Sequence, residues 1–454
     1  MSIDMLPDDV LLEIFDFFVR EAYHIEGWKP LVHVCRRWRS VVFGSPLRLN
    51  LRLFCSNNTP ARDTLDVWPA FPLSIKCWEK AESVDNIIAV LEHSDRVCHI
   101  NLDFKGLDLD KLSAAMQVPF PELTYLSLLS NGETVSALPD SFLGGSAPRL
   151  EYLRLFGIPF PGLPKLLLSA THLVTLFLDN IPHSGYFSPE AIVTALSTLT
   201  HLGSLSLRFV SPQSRPDPEH QHPPPSTRSV LPNLKYFWFK GDSEYLEVVV
   251  AHIDAPRLDE LNITLFNDIV FDTPQLTQFI SRTPTMEALE KAHVTFDGNA
   301  AAVQILSPTS GKYEGLKVMI PCTELDWQVS SMEQVCTSCL PPLPTLESLY
   351  IHGYRHHRKQ HWQGNVENVL WLQLLHPFAS VKDLYLSEEV ARLIVPALQE
   401  LDGGRATEVL PTLQKMFLES QPSGRVWEGI QQVVSARQAI GHPIAVSYGQ
   451  FARY

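Results

Sequence analysis

Apolar positions follow two patterns along this chain, and the first is confined to the opening residues. Val10, Leu11, Ile14, Phe15 and Phe18 form an i, i+4 stripe that predicts a helix. The helix opens at Leu6-Pro7-Asp8-Asp9, where proline's missing N–H is not needed and two acids complement the positive end of the helix dipole. After a connector holding Gly27, a second stripe starts near Pro30. It sets Leu31, Val34, Cys35, Trp38, Val41 and Val42 on one side, which predicts a helical pair. Gly44-Ser45-Pro46 stops the second helix. Leu47, Leu49, Leu51 and Leu53 then alternate with Arg48, Asn50 and Arg52, the period of a short strand.

The second pattern begins beyond residue 95 and repeats. An apolar residue, two variable ones, an apolar residue, one variable and an apolar residue recur at Val97/Ile100/Leu102, Leu123/Leu126/Leu128, Leu150/Leu153/Leu155, Leu173/Leu176/Leu178, Leu202/Leu205/Leu207, Leu234/Phe237/Phe239 and Leu258/Leu261/Ile263. Weaker copies follow at Met286/Leu289, Tyr313/Leu316/Val318, Leu346/Leu349/Ile351, Val381/Leu384/Leu386 and Leu413/Met416/Leu418. Spacings run from 23 residues (Leu150 to Leu173) to 35 (Leu346 to Val381), within or above the ~20 to 29 of a leucine-rich repeat. Each phrase reads as a strand with its apolar residues in the core and a returning helix or turn behind it. Pro121, Pro148, Pro232, Pro256, Pro284, Pro344 and Pro411 each stand two residues before a phrase, in the turn feeding the strand. The asparagine usual at the inner turn is mostly missing, Asn131 excepted, so the array is expected to be irregular. An ordinary α/β protein with chance spacing is the alternative, and twelve phrases in order weigh against it.

Composition narrows the function. Of 454 residues, 45% are hydrophobic and 19% charged, enough apolar surface for a large core. Lys plus Arg number 36 against 50 acids, a net charge of -14, which disfavours binding to nucleic-acid backbones. No apolar run approaches the ~18 to 20 residues of a membrane span, and Met1-Ser2-Ile3-Asp4 lacks a basic leader. Seven cysteines without framework spacing suit a reducing compartment, so a cytoplasmic or nuclear protein with no membrane partner is expected.

Catalytic signatures are scarce. There is no G-x-x-x-x-G-K-[ST], no G-x-G-x-x-G after a strand and no G-x-S-x-G, and no cofactor is implied. Cys336-x-x-Cys339 lacks the second pair that a zinc site needs, and reads as structural thiols. His356, His357 and His361 read as a solvated or partner-binding loop. A Pro-, Ser- and His-rich insertion near 211–231 cannot build a core and is expected to be a disordered loop. The variable positions of the phrases, such as Tyr125, Tyr152 and Tyr236, mix aromatic and charged groups as protein-binding surfaces do, and as solvated sheet faces do.

The opening residues resemble a known family. Leu6-Pro7-Asp8-Asp9-Val10-Leu11-Leu12-Glu13-Ile14-Phe15 and Val34-Cys35-Arg36-Arg37-Trp38-Arg39 look like the two ends of an F-box, the module that docks substrate receptors on the Skp adaptor of cullin-RING ubiquitin ligases. Thr59 to Trp68 is similar to the segment after the F-box in a large group of fungal F-box proteins. The resemblance implies that Leu6 and Pro7 sit against the adaptor, that Leu11, Ile14 and Phe15 share contact and core, and that Cys35 and Trp38 anchor the later helix. Residues 19 to 30 depart from the usual spacing. Acids and bases also divide within the module: residues 1–26 carry seven acids and one base, residues 27–53 six bases and no acid, so the halves should attract.

The expected architecture is an α/β repeat: an F-box-like helical module (1–53), a connecting segment (54–95), a curved, irregular leucine-rich-repeat solenoid (96–420) and a C-terminal cap or tail (421–454). The expected role is a non-catalytic substrate receptor that binds a Skp-type adaptor, through it a cullin, and an unknown protein substrate. The alternative is a repeat scaffold whose N-terminal helices only cap the array.

Overall fold

The computed structural model describes residues 6–21, 26–56, 61–77, 84–103, 109–130, 136–212, 228–266, 272–286, 290–306, 315–353, 366–401, 403–421 and 424–449. Asn131, most of the 211–231 insertion (213–227), Leu289, Tyr313 and the histidines at 356, 357 and 361 lie outside them. The chain forms two units, Met1–Phe187 and Ser188–Tyr454.

The first unit opens with helices α1 (Asp8–Glu21), α2 (Lys29–Val32) and α3 (Arg36–Gly44). The expected second helix is thus two pieces. Cys35 is extended (φ −156°, ψ 171°) and caps α3 by accepting from the Trp38 N–H at 3.4 Å, so the stripe breaks there. The strand expected over Leu47–Leu53 is also corrected. Asn50 takes a left-handed φ of 47° and the Leu51 N–H bonds to the Pro46 carbonyl at 2.9 Å, closing a turn that leaves Leu47 93% exposed.

Pairing begins only at β1 (Leu53–Cys55) and continues through β2 (Leu73–Cys77), β3 (Val97–Asp103), β4 (Tyr125–Leu129), β5 (Tyr152–Phe156) and β6 (Thr175–Ile181). The neighbouring strands are parallel throughout. The segment read as a connector therefore supplies two strands of the sheet. Registers such as Leu126↔Leu153 and Leu153↔Leu176 align the phrases, and these leucines are buried in rows beneath the sheet. Full burial stabilises by roughly 1.5–3 kcal/mol for each such side chain.

The prolines act as expected. In each phrase they introduce, the first apolar N–H closes a turn on the carbonyl three residues back, with proline second in the turn. Leu123 bonds to Phe120 (3.2 Å), Leu150 to Ala147 (3.2 Å) and Leu413 to Leu410 (3.1 Å). A fixed φ near −65° is what that position asks for.

The second unit holds β7 (Ser204–Phe209), β8 (Ser229–Val230), β9 (Tyr236–Gly241), β10 (Ile253–Asp254), β11 (Glu260–Leu265), β12 (Lys291–Phe296), β13 (Ala300–Leu306), β14 (Gly315–Pro321), β15 (Ser348–Gly353), β16 (Asp383–Leu386), β17 (Lys415–Leu418) and β18 (Ala445–Tyr448). Its main order is β7-β9-β11-β14-β13-β12-β15-β16-β17-β18, while β8 pairs with β10 separately. Helices return between strands, and Leu325–Gln334, Asn368–Leu375, Glu388–Gln399 and Arg425–Ala439 pack each on the next.

Here the sequence reading needs its main correction. In the weak phrase at Met286/Leu289, Met286 is buried, but the strand starts later and its core residues are Ala292, Val294 and Phe296 of β12. After β12 the chain turns at Asp297, whose Oδ1 accepts from the Asn299 and Ala300 N–H groups at 2.7 and 2.8 Å. It then returns as antiparallel β13, burying Ala301, Val303 and Ile305. Consequently β11 pairs with β14, and β12 with β15, so two units of the series exchange places around one reversed strand.

Candidate functional site

Two surfaces gather groups able to engage a partner, and the first is α1. Leu11 and Phe15 point inward and are fully buried, Phe15 lying 4.7 Å from Trp38, ring centre to ring centre. Trp38 and Cys35 are half-buried, the latter used as the α3 cap. Leu6 is half-buried and Pro7 exposed, and their segment is held by Arg37, which bonds to the Leu6 carbonyl and pairs with Asp8 at 2.6 Å. Arg48 pairs with Glu13. With Lys29 on Glu26 at 2.7 Å, the expected attraction between the acidic and basic halves takes the form of three ion pairs among the described residues.

Ile14 faces solvent instead. With Val10, Phe17 and Phe18 it lies within about 100° of one another around the helix, at 100° per residue. These four are 42%, 41%, 69% and 43% exposed. The apolar arc of α1 is wider than the core beneath it, and one half is left open. The apolar stripe read from the sequence holds Val10, Ile14 and Phe18 but not Phe17, whose place seven residues after Val10 was the available signal.

Behind this surface Trp28 is buried, donates from Nε1 to the Arg52 carbonyl at 3.1 Å, and stacks edge-on to Trp68 (5.1 Å) and Phe71 (5.6 Å). This cluster joins the helices to the first strands of the same unit.

The second surface is the outer face of the sheets, formed by the variable positions of the phrases. In the first unit His99, Tyr125 and Tyr152 occupy one register row and stack at 4.0 and 4.3 Å. Burial, with Lys76 and Arg52 nearby, lowers His99 to about 4, so its imidazole is neutral at pH 7. Burial and the adjoining Tyr125 push Tyr152 up to about 12. In the second unit His293, Tyr350, Tyr385 and Phe417 form a longer ladder at 4.4, 4.1 and 4.4 Å. Such cross-strand aromatic pairs stiffen a sheet; here Tyr350, Tyr385 and Phe417 are half-buried while His293 is buried.

Reaction chemistry finds less support among the described residues. Cys336 and Cys339 sit in a π-type turn after the helix Leu325–Gln334, both buried, and burial raises both thiols, Cys339 to about 11. They are therefore protonated at neutral pH and poor metal ligands. No group of three or more His, Cys, Asp or Glu able to hold a metal occurs among the described residues. No described helix is long and apolar enough to cross a membrane. A cavity lined by Leu155, Phe160, Leu178 and Phe187 has a volume of about 10 Å³, room for about one water.

No family model matches the chain, and no curated protein matches it. Among solved structures, it is similar to the leucine-rich repeat-containing protein LegL7 from Legionella pneumophila, over 84% of this chain and 97% of that one, with 13% identity and a TM-score of 0.28.

Proposed function

We propose that this chain is a substrate receptor of a cullin-RING ubiquitin ligase. Its N-terminal helices dock a Skp-type adaptor, and its leucine-rich-repeat sheet holds a protein target. The observation that carries the reading is the open apolar stripe Val10, Ile14, Phe17 and Phe18, on the helix whose sequence resembles an F-box. Exposed apolar side chains in this number on one helix face are paired with a partner's surface in most soluble proteins. The receptor does no bond chemistry; it supplies proximity, holding a target lysine where a recruited enzyme carries ubiquitin. Unbridged thiols, five of the seven buried, suit a cytoplasmic or nuclear setting.

A second reading, a scaffold with the helices acting as a cap, is favoured by the Trp28–Trp68–Phe71 cluster, which seats them on the first strands. A cap alone, however, gives Phe17 no reason to be apolar. Mixing the purified chain with a Skp-type adaptor on a sizing column separates the two readings. A receptor co-elutes with adaptor and a scaffold does not.

A further inference from the structure

The outer face of the first unit carries two cations that form no ion pair among the described residues. Lys76 on β2 and Arg154 on β5 lie in one register row, linked strand by strand through Asn101 and Ser127. Arg154 Nε is closed off from solvent and donates to no partner, a costly state for a guanidinium. Arg52, whose Nε bonds to Asn50 at 3.1 Å, lies close enough to Lys76 to depress its ammonium, after burial has done so first. The whole chain carries a net charge of -14, so an unpaired cationic row stands apart from its average.

We propose that this face, across β2 to β5, docks an extended acidic segment of a protein partner, with two carboxylates four residues apart meeting Lys76 and Arg154. Neighbouring strands lie about 4.8 Å apart, so three steps separate the two cations by roughly 14 Å at the backbone. An extended chain advances about 3.3 Å per residue, so four residues span roughly 13 Å. Single carboxylates suit a lone cation at each end, and the guanidinium of Arg154 offers a fork to one of them. The residues between lie along Asn101 and Ser127, beside the stacked edges of His99, Tyr125 and Tyr152. Asp103 on β3 and Asp179 on β6, each two register positions beyond the row, bound it on one side and repel a segment placed there. The proposal rests on the reading that the repeat sheet takes a protein partner, and is independent of the adaptor.

The test is fluorescence anisotropy of the full chain with labelled Gly/Ser peptides carrying two aspartates four positions apart. Controls place asparagine at both positions, move the aspartates to adjacent positions, or replace them with phosphoserine. The aspartate peptide should bind, weaken as salt is raised, and bind at least about tenfold better than the asparagine or adjacent-aspartate peptides. Lys76→Gln and Arg154→Gln should each weaken binding about tenfold, with thermal melts and adaptor binding unchanged. No binding, equal binding of the asparagine peptide, or full binding by both variants would overturn the proposal, as would tighter binding of the phosphoserine peptide, which assigns the face to a phosphorylated partner. If the chain binds adaptor but no peptide, this inference falls and the receptor reading stands. If it binds the peptide but no adaptor, the receptor reading falls and this inference stands.

Discussion

Arg437 offers a sharp test of how the C-terminal repeats are held. It lies on the helix Arg425–Ala439, is only 2% exposed, and sends Nη2 to the carbonyls of Val409 at 2.7 Å and Leu410 at 3.1 Å. Leu410 carries a left-handed φ of 52°, immediately before the proline turn that feeds β17. The guanidinium therefore clamps a strained turn from the helix behind it. Arg437→Met keeps most of the apolar stem and removes the donors. The Val409 carbonyl then loses its partner, at roughly 1–3 kcal/mol, while the Leu410 carbonyl keeps the Leu413 N–H at 3.1 Å. Part of this is offset because a charge is no longer buried, a burden evident in the lowered pKa of Arg437. The net expectation is a loss of about 1–2 kcal/mol. Urea unfolding followed by circular dichroism should show an earlier midpoint, and hydrogen exchange should show β17 opening first. A Met variant as stable as the parent, or more stable, would refute the clamp.

Three further outcomes follow from the packing. Leu153→Asp sets a charge in the buried row beneath β5 and should destabilise the first unit by several kcal/mol, so an unchanged melting temperature would contradict the register. Gly157 has a φ of 65°, and a Cβ there would lie 2.3 Å from the Ser130 carbonyl oxygen, so Gly157→Ala should cost roughly 1–3 kcal/mol in denaturant titrations. Glu247 accepts from the Gln275 and Leu276 N–H groups at the start of the helix Pro274–Ser281, and burial raises its carboxyl to about 6. Its folded pKa lies above the ordinary glutamate value of 4.5, so the folded state favours the protonated form and stability from this group is lost as pH rises through that window. Glu247→Gln should therefore flatten the pH dependence of the melting temperature between about 4.5 and 6, and an unchanged profile would reject the assignment.

The strands were legible wherever the phrase was built from leucines, because Leu150, Leu153 and Leu155 set a spacing that only a strand with one buried face satisfies. The prolines marked the turns for the same reason. What failed was order. Nothing in Lys291–Phe296 says that it will pair with β15 rather than with β11, since that choice depends on the hairpin after it. The hairpin itself had a local signal, Asp297-Gly298-Asn299 between apolar runs, which the search for one repeating phrase passed over. Leu47 misled because alternation over Leu47–Leu53 fits a strand equally well until Asn50 turns left-handed. At α1 the stripe located the helix, but a continuous apolar arc does not reveal which half is covered. Phe17 falls seven residues after Val10, but that it lies on the open half shows only with Leu11 and Phe15 seated inside. Lys76 and Arg154 are 78 positions apart along the chain, and only strand register brings them into one row.

The central claim is that the open stripe of α1 is a docking surface. Calorimetric titration of a purified Skp-type adaptor into the full chain, beside Ile14→Ser and Phe17→Ser variants of it, tests that claim directly. Both substituted side chains face solvent, so the variants should melt with the parent, while each loses an apolar contact worth about tenfold in affinity. The account predicts one-to-one binding that both variants weaken. Adaptor binding that is absent in the parent chain, or equal in all three proteins, would contradict it.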